Sequence, residues 1–310
     1  MKLDTPAKAA FDTFGGRFLL VGYLPTYAGV LSILILFWAG APGKLNFSQA
    51  WHTAVQLGLG ELLLVVLAVM LTAAVLQPLH LRMIRVLEGD WPTWAGWLAR
   101  LCTRRQRRCH ARLARAAMAP PNGATDTDIQ RAGQAGALLV ARFPPSRLRP
   151  TALGNALAAM EARAGAEYGW DATVAWPRLY PVLGPQARTL VDDRRNTLDL
   201  TARLTVTATV LAVVTAGLLA QSRWWVLLAL APLALAVLAY RSAVQAAIAY
   251  GETVGAAFDL HRFDLLEHLH LPLPADQAAE QAANEKLCLM WRQGAPTNLV
   301  YRHQPINESG

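Results

Sequence analysis

Charge is what this sequence has least of. Asp, Glu, Lys and Arg make up 16% of its 310 residues and hydrophobic residues 54%, where a soluble chain carries charge at about a quarter of its positions. That shortage excludes a disordered tail protein and argues against an ordinary soluble globule. Cysteine is also scarce. Cys102, Cys109 and Cys288 are too few and too scattered for a secreted disulfide scaffold, and the spacing of the first two fits neither a redox pair nor a zinc knuckle. There is no Gly-rich phosphate loop, no Gly-x-Ser-x-Gly elbow, no zincin or kinase signature and no long internal repeat. No cofactor is expected, and the chain reads as a non-enzyme.

Four apolar runs supply what is there. The first, about Phe18 to Ala39, carries no charge, and its Pro25 and Gly29 permit a kink or a close helix contact. The second, about Thr53 to Leu76, contains one acid, Glu61. The third (Leu204 to Ala220) and fourth (Trp224 to Tyr240) are joined by Gln221, Ser222 and Arg223 alone, which predicts a tight antiparallel hairpin. A cleaved signal peptide is the rival for the first run. That run is about twice the length of a signal core, and removing it would leave one long flank on the wrong side.

Basic residues orient these runs. The loop from Gly40 to His52 has Lys44 alone and the hairpin Arg223 alone, whereas His80 to Arg203 has 19 arginines against 10 acids, a net +9. Positive-inside logic puts that segment and both termini in the cytoplasm. The chain divides into a tail (1–17), two transmembrane helices (18–79), a mostly helical cytoplasmic region (80–197), a transmembrane hairpin (198–240) and a cytoplasmic helical extension (241–310). The fold class is all-α, with four spans and a fourth helix of roughly 45 residues reaching into the cytoplasm.

Within the cytoplasmic parts, Trp91, Trp94 and Trp97 suit a headgroup region, and Arg104, Arg105, Arg107, Arg108, Arg112 and Arg115 form a basic surface helix. Pro120 to Gly123 break that helix, and Asp126 to Gly136 reads as a loop or hinge. Thr151 caps a helix running toward Ala166. Tyr168 to Gly184 is aromatic and turn-rich, a further helix leads from about Gln186 into the third span, and another covers Ala278 to Trp291.

Four features are candidate sites. Glu61, about eight residues inside a span, fits a pore, a cation site or a proton carrier, or a structural acid bonded to another helix. The arginine cluster fits anionic lipid headgroups or a solvated face; nucleic-acid binding lacks a fold motif. Val244, Ala247, Gly251, Val254, Phe258, His261, Leu265 and His268 recur at 3-4 spacing as a packing seam, with Gly251, Val254 and Phe258 as the contact for a second copy. His261, Asp264 and His268 share a face that offers weak metal ligands, although no recognised zinc signature is present and a titrating or salt-bridged face is the alternative. Three function classes fit: a self-associating scaffold or accessory subunit, an oligomeric channel or pore with Glu61 facing its lumen, and an enzyme acting on lipid or envelope. The expected partners are membrane lipids and copies of this chain or other membrane proteins, with no nucleic acid.

Two stretches resemble a family of uncharacterised multi-pass membrane proteins of actinobacteria. One is Leu153-Gly154-Asn155-Ala156-Leu157 with Glu161, Tyr168-Gly169 and Trp176-Pro177-Arg178-Leu179. The other is Tyr250-Gly251 with Ala256-Ala257-Phe258-Asp259-Leu260-His261-Arg262 and Leu265-Leu266. The resemblance covers about a fifth of the chain. It implies a bacterial plasma membrane and one continuous unit, and no activity.

Overall fold

The computed structural model describes residues 16–118, 125–296 and 298–302, without the side chains of 16–25, 73–81 and Arg223. The first fifteen residues of the expected tail, the Pro120 to Gly123 break and the last eight residues lie outside the described residues, as does the side chain of Pro25. Among the described residues the chain is all-helical, with no strand. In chain order the helices are α1 (Gly16–Trp38), α2 (Phe47–Gln56), α3 (Leu59–Glu88), α4 (Gly96–Ala116), α5 (Asp126–Arg142), α6 (Ala152–Arg163), α7 (Ala172–Leu179), α8 (Pro185–Leu218), α9 (Leu230–His268) and α10 (Gln277–Gln293). They fall into two compact units, one of residues 1–90 and 196–243 and one of residues 91–195 and 244–310.

Among the described residues two helices are long and apolar enough to cross a membrane, α8 and the 45-residue run Trp224–His268 that α9 forms with the 3-10 turn before it. A third crossing results if α2 and Leu59–Thr72 of α3, bent by 113° where they meet, count as one. The chain is thus a membrane protein with two or three candidate spans. The second expected span does not run unbroken from Thr53, because the chain turns at Leu57 and Gly58 and α3 then continues to Glu88. Likewise the expected loop from Gly40 to His52 holds the start of α2, where the Asn46 side chain accepts from the Ser48 and Gln49 N–H groups.

In the first unit, α8 turns a small-residue stripe inward, with Ala202, Thr205, Ala208, Ala212 and Thr215 all buried. The buried Thr205 hydroxyl donates to the Thr201 carbonyl four residues back at 2.8 Å, so it is satisfied without water. Gly29 lets α1 approach closely, since a Cβ there would sit 2.9 Å from Thr207 Cγ2. Outward, Leu63, Leu64 and Leu67 on α3 and Leu233, Val237 and Leu238 on α9 are exposed. So many exposed large apolar side chains call for hydrocarbon around them. At one end of the unit Leu36, Ala41 and Leu219 form a small buried cluster, Ser222 Oγ donates to the Gly43 carbonyl at 3.2 Å, and Phe47 lies 5.4 Å from Trp225.

The second unit has a conventional core, where Trp170, Ala175, Leu179, Leu183 and Val191 meet Val254, Phe258, Leu265, Leu266 and Leu287. Side-chain caps set its helix starts. Thr151 accepts from Gly154 N–H, Asp171 from Thr173 and Asp276 from Ala279. The expected loop from Asp126 is the helix α5 instead. Thr125 and Asp128 close a reciprocal capping box, and hydrogen bonds from Thr125 hold the Asp128 carboxyl below its usual range. The turn-rich stretch after Tyr168 likewise contains α7, with Pro177 inside it.

Polar side chains pin this core. Asn155, fully buried, accepts from Arg149 N–H and donates to the Arg149 and Thr151 carbonyls. Asn284, also fully buried, donates to the Tyr168 carbonyl at 2.8 Å, and Gln281 donates to the Glu167 carbonyl at 2.9 Å. Glu280, 5% exposed, accepts from Arg262 Nε at 2.9 Å, and that guanidinium stacks 4.0 Å over the Tyr168 ring. Tyr168 itself donates to Asp259, a bond that pushes its hydroxyl above the usual phenol range.

Candidate functional site

Helix α4 carries the most distinctive surface of the second unit. One side packs on α5, half-burying Cys102, Gln106, Cys109 and His110, with His110 edge-on to the buried Phe143 at 5.3 Å. At 100° per residue, Arg104, Arg108, Arg112 and Arg115 then share an arc of about 80° on the opposite side, and all four are exposed. Arg105 and Arg107, also exposed, flank that arc. The structure thus brings the six predicted arginines onto one outward face, joined by Arg100.

The same arc begins with apolar groups. Trp97 is 65% and Leu101 57% exposed, and Trp94, in the 3-10 turn leading into α4, is 80% exposed. No acid occurs anywhere in α4. The pairs Arg100/Arg104, Arg104/Arg108 and Arg108/Arg112 therefore repel at i, i+4, each costing the helix about 0.2–0.5 kcal/mol. Two guanidiniums are held along the helix, Arg100 Nε donating to Gly96 O and Arg115 Nε to Ala111 O.

The other sequence candidates look different in place. Glu61 stands not about eight residues inside a helix but in the first turn of α3, exposed, where its carboxylate accepts the Gly58 N–H at 3.2 Å. An acid there complements the positive end of the helix dipole. Gly251, Val254 and Phe258 do form a packed seam, but their own chain fills it. A Cβ on Gly251 would lie 3.0 Å from Met160 Cβ, and Phe258 is fully buried in the second unit's core. The seam therefore leaves no face for a second copy. His261 Nδ1 pairs with Asp264 at 2.7 Å while His268 Nδ1 meets the Asp264 carbonyl. Among the described residues no three His, Cys, Asp or Glu side chains are grouped to hold a metal ion.

The structure adds features that spacing did not reveal. A groove of about 630 Å³ runs between α8 and α9, lined by Gln186, Leu190, Glu252, Ala256, Leu260 and His261. A smaller hollow of about 320 Å³ beside Met160, Arg163 and Gly255 also touches Glu252. Arg292 pairs with Asp171, so the tail and the middle segment meet there with charges opposite to their net balance.

Cys288 sits in the core, its sulfur accepting the Asp171 N–H at 3.2 Å, and burial pushes its thiol up to about 11 from 9.0. A raised acid favours the folded state while it stays protonated. This contribution is whole below pH about 9 and fades as pH climbs through about 11. At pH 8 a maleimide is expected to modify Cys102 and Cys109 at least about tenfold faster than Cys288. Peptide mass spectrometry over time would measure this, and equal rates would contradict the burial. No family model, curated protein or solved structure matches the chain.

Proposed function

We propose that the protein is a bacterial plasma-membrane scaffold or accessory subunit with four spans, both termini and the second unit in the cytoplasm. One observation carries this reading. Helix α9 supplies a membrane-length apolar run and also, through Val254, Phe258 and Leu265, the spine of the second unit's core. A folded helical unit built on a span is tethered by construction.

The topology has its own support. The two segments poorest in basic residues, around Lys44 and Arg223, meet at one end of the first unit through Ser222, Gly43, Phe47 and Trp225. This contact supports an outer assignment of both, which requires them to share one membrane side. Helix α2 presents Phe47, Trp51 and Val55 at successive fourth positions, all exposed, the pattern of a helix lying in the headgroup plane. With α2 at the interface, α1 and α3 serve as separate crossings. The buried seam takes no part in self-association, so partners engage the lipid-facing or outer surfaces.

A pore with Glu61 at its lumen is the competing reading, and conductance separates the two. Reconstituted into planar bilayers at confirmed helix content, the protein is expected to pass no unitary current, while crosslinking in cells joins it to other membrane proteins. Currents whose selectivity changes in Glu61→Gln would overturn the scaffold reading.

A further inference from the structure

We propose that the outward face of α4, together with Trp94, is a docking surface for an anionic phospholipid bilayer. The inference needs only that the chain is anchored in a membrane, and it stands or falls separately from the scaffold role.

Three observations converge on that occupant. The first is charge without counter-charge. Seven arginines occupy the 21 residues of α4 with no acid among them, although the chain has 21 acids elsewhere. A helix face meant only for water mixes both signs, and repulsion along Arg100, Arg104, Arg108 and Arg112 is relieved when phosphates come between them. Guanidinium forks match phosphate oxygens in geometry as well as charge.

The second is the apolar group that shares the arc. Trp94, Trp97 and Leu101 are exposed at the N-terminal end of the same face, left largely uncovered by the described residues. An indole buries its ring at the acyl boundary and keeps its N–H among headgroups. A face with aromatics at one end and arginines along the rest matches an interfacial helix that inserts one end and lays the other on phosphates. The third is the chain path. The apolar helix α3 ends at Glu88, and Gly96 opens α4 seven residues after Gly89. The surface therefore lies within about 25 residues of an apolar run that is itself a candidate for the membrane.

Nucleic acid is the rival polyanion. It would use the arginines but leave Trp94, Trp97 and Leu101 idle, because they cluster at one end of the helix instead of alternating with the basic residues as a stacking platform does.

The full chain tests this in proteoliposomes. In a Cys102→Ser, Cys109→Ser background, Leu101→Cys carries an environment-sensitive dye, and the vesicles are phosphatidylcholine alone or a 7:3 mixture with phosphatidylglycerol. The expected result is a blue shift in the anionic vesicles only, reversed by high salt. The shift is lost when Arg104, Arg108, Arg112 and Arg115 are all changed to Gln, and reduced in Trp94→Ser with Trp97→Ser. Helix content and unfolding midpoint are compared first, and the tryptophan pair serves as the second variant should the arginine set fold poorly. Equal emission in both vesicle types, or a shift that survives both sets of substitutions, would overturn the proposal. So would a DNA duplex producing the same shift in phosphatidylcholine vesicles, which would mark the face as a nucleic-acid surface.

Discussion

Arg262→Met is expected to destabilise the second unit by about 3–5 kcal/mol, the cost of stranding a buried carboxylate. Glu280 is 5% exposed and its oxygen takes the Arg262 Nε hydrogen at 2.9 Å. Arg262 also donates to the Asp259 carbonyl and covers the Tyr168 and Phe263 rings, so truncation removes packing as well as charge. The pair joins α9 to α10 and holds the tail helix on the core. Urea unfolding in detergent would show the loss as a lower midpoint. The double variant Arg262→Met, Glu280→Leu should recover most of it, because replacing both partners removes the stranded charge. A double variant as weak as the single one would show instead that the guanidinium's ring contacts dominate.

Gly169→Ala is the second large effect, with an expected loss of about 3 kcal/mol or more. Gly169 adopts φ +76, and a Cβ there would lie 2.6 Å from the Gln281 carbonyl oxygen and 2.8 Å from its Cα. The left-handed backbone alone costs about 1–2 kcal/mol for any other residue. The clash adds to this, because the obstructing atoms are backbone and α10 must shift to clear them. Gly294 provides the control. It too is left-handed, at φ +65, but nothing lies within 4 Å of its would-be Cβ, so Gly294→Ala should cost only the backbone term. Equal midpoints for the two alanine variants would refute the close packing of α10 against Gly169.

How far the sequence foretold this architecture varies from residue to residue. The long apolar helix from Trp224, the apolar run within α8 and the Thr151 cap were readable because hydropathy and capping act locally. The bend at Gly58 was not, since hydropathy averaged over the length of a span runs across a two-residue break. That average also moved Glu61 from a helix start to a helix interior. Helix α5 was hidden by Gly133 and Gly136, although Thr125 and Asp128 carried the capping signal three residues apart. The seam at Gly251, Val254 and Phe258 was legible as a covered face. Periodicity states that a face is buried but not what buries it, and here Met160, Gly165 and Trp176 of the same chain do so. Glu280 carried a signal that passed unused. It falls on the stripe shared with Asn284, Leu287 and Cys288, where an acid implies a buried cation. The arginine face of α4 was the best-forecast site, because exposure there needs no tertiary partner.

The second unit is assembled from two pieces of chain, 91–195 and 244–310, with the apolar stretch 196–243 encoded between them. Synthesis from the N-terminus therefore presents Trp170, Ala175, Leu179 and Val191 before Phe258, Leu265 and Leu287 exist to cover them. Completion of this core must await translation of the intervening stretch, which holds the apolar parts of both candidate spans. Synthesis of those spans and maturation of the helical unit thus become successive steps of one biosynthetic order. A ribosome stalled within that stretch would leave the first piece with its apolar face uncovered, a form that chaperones or proteases recognise.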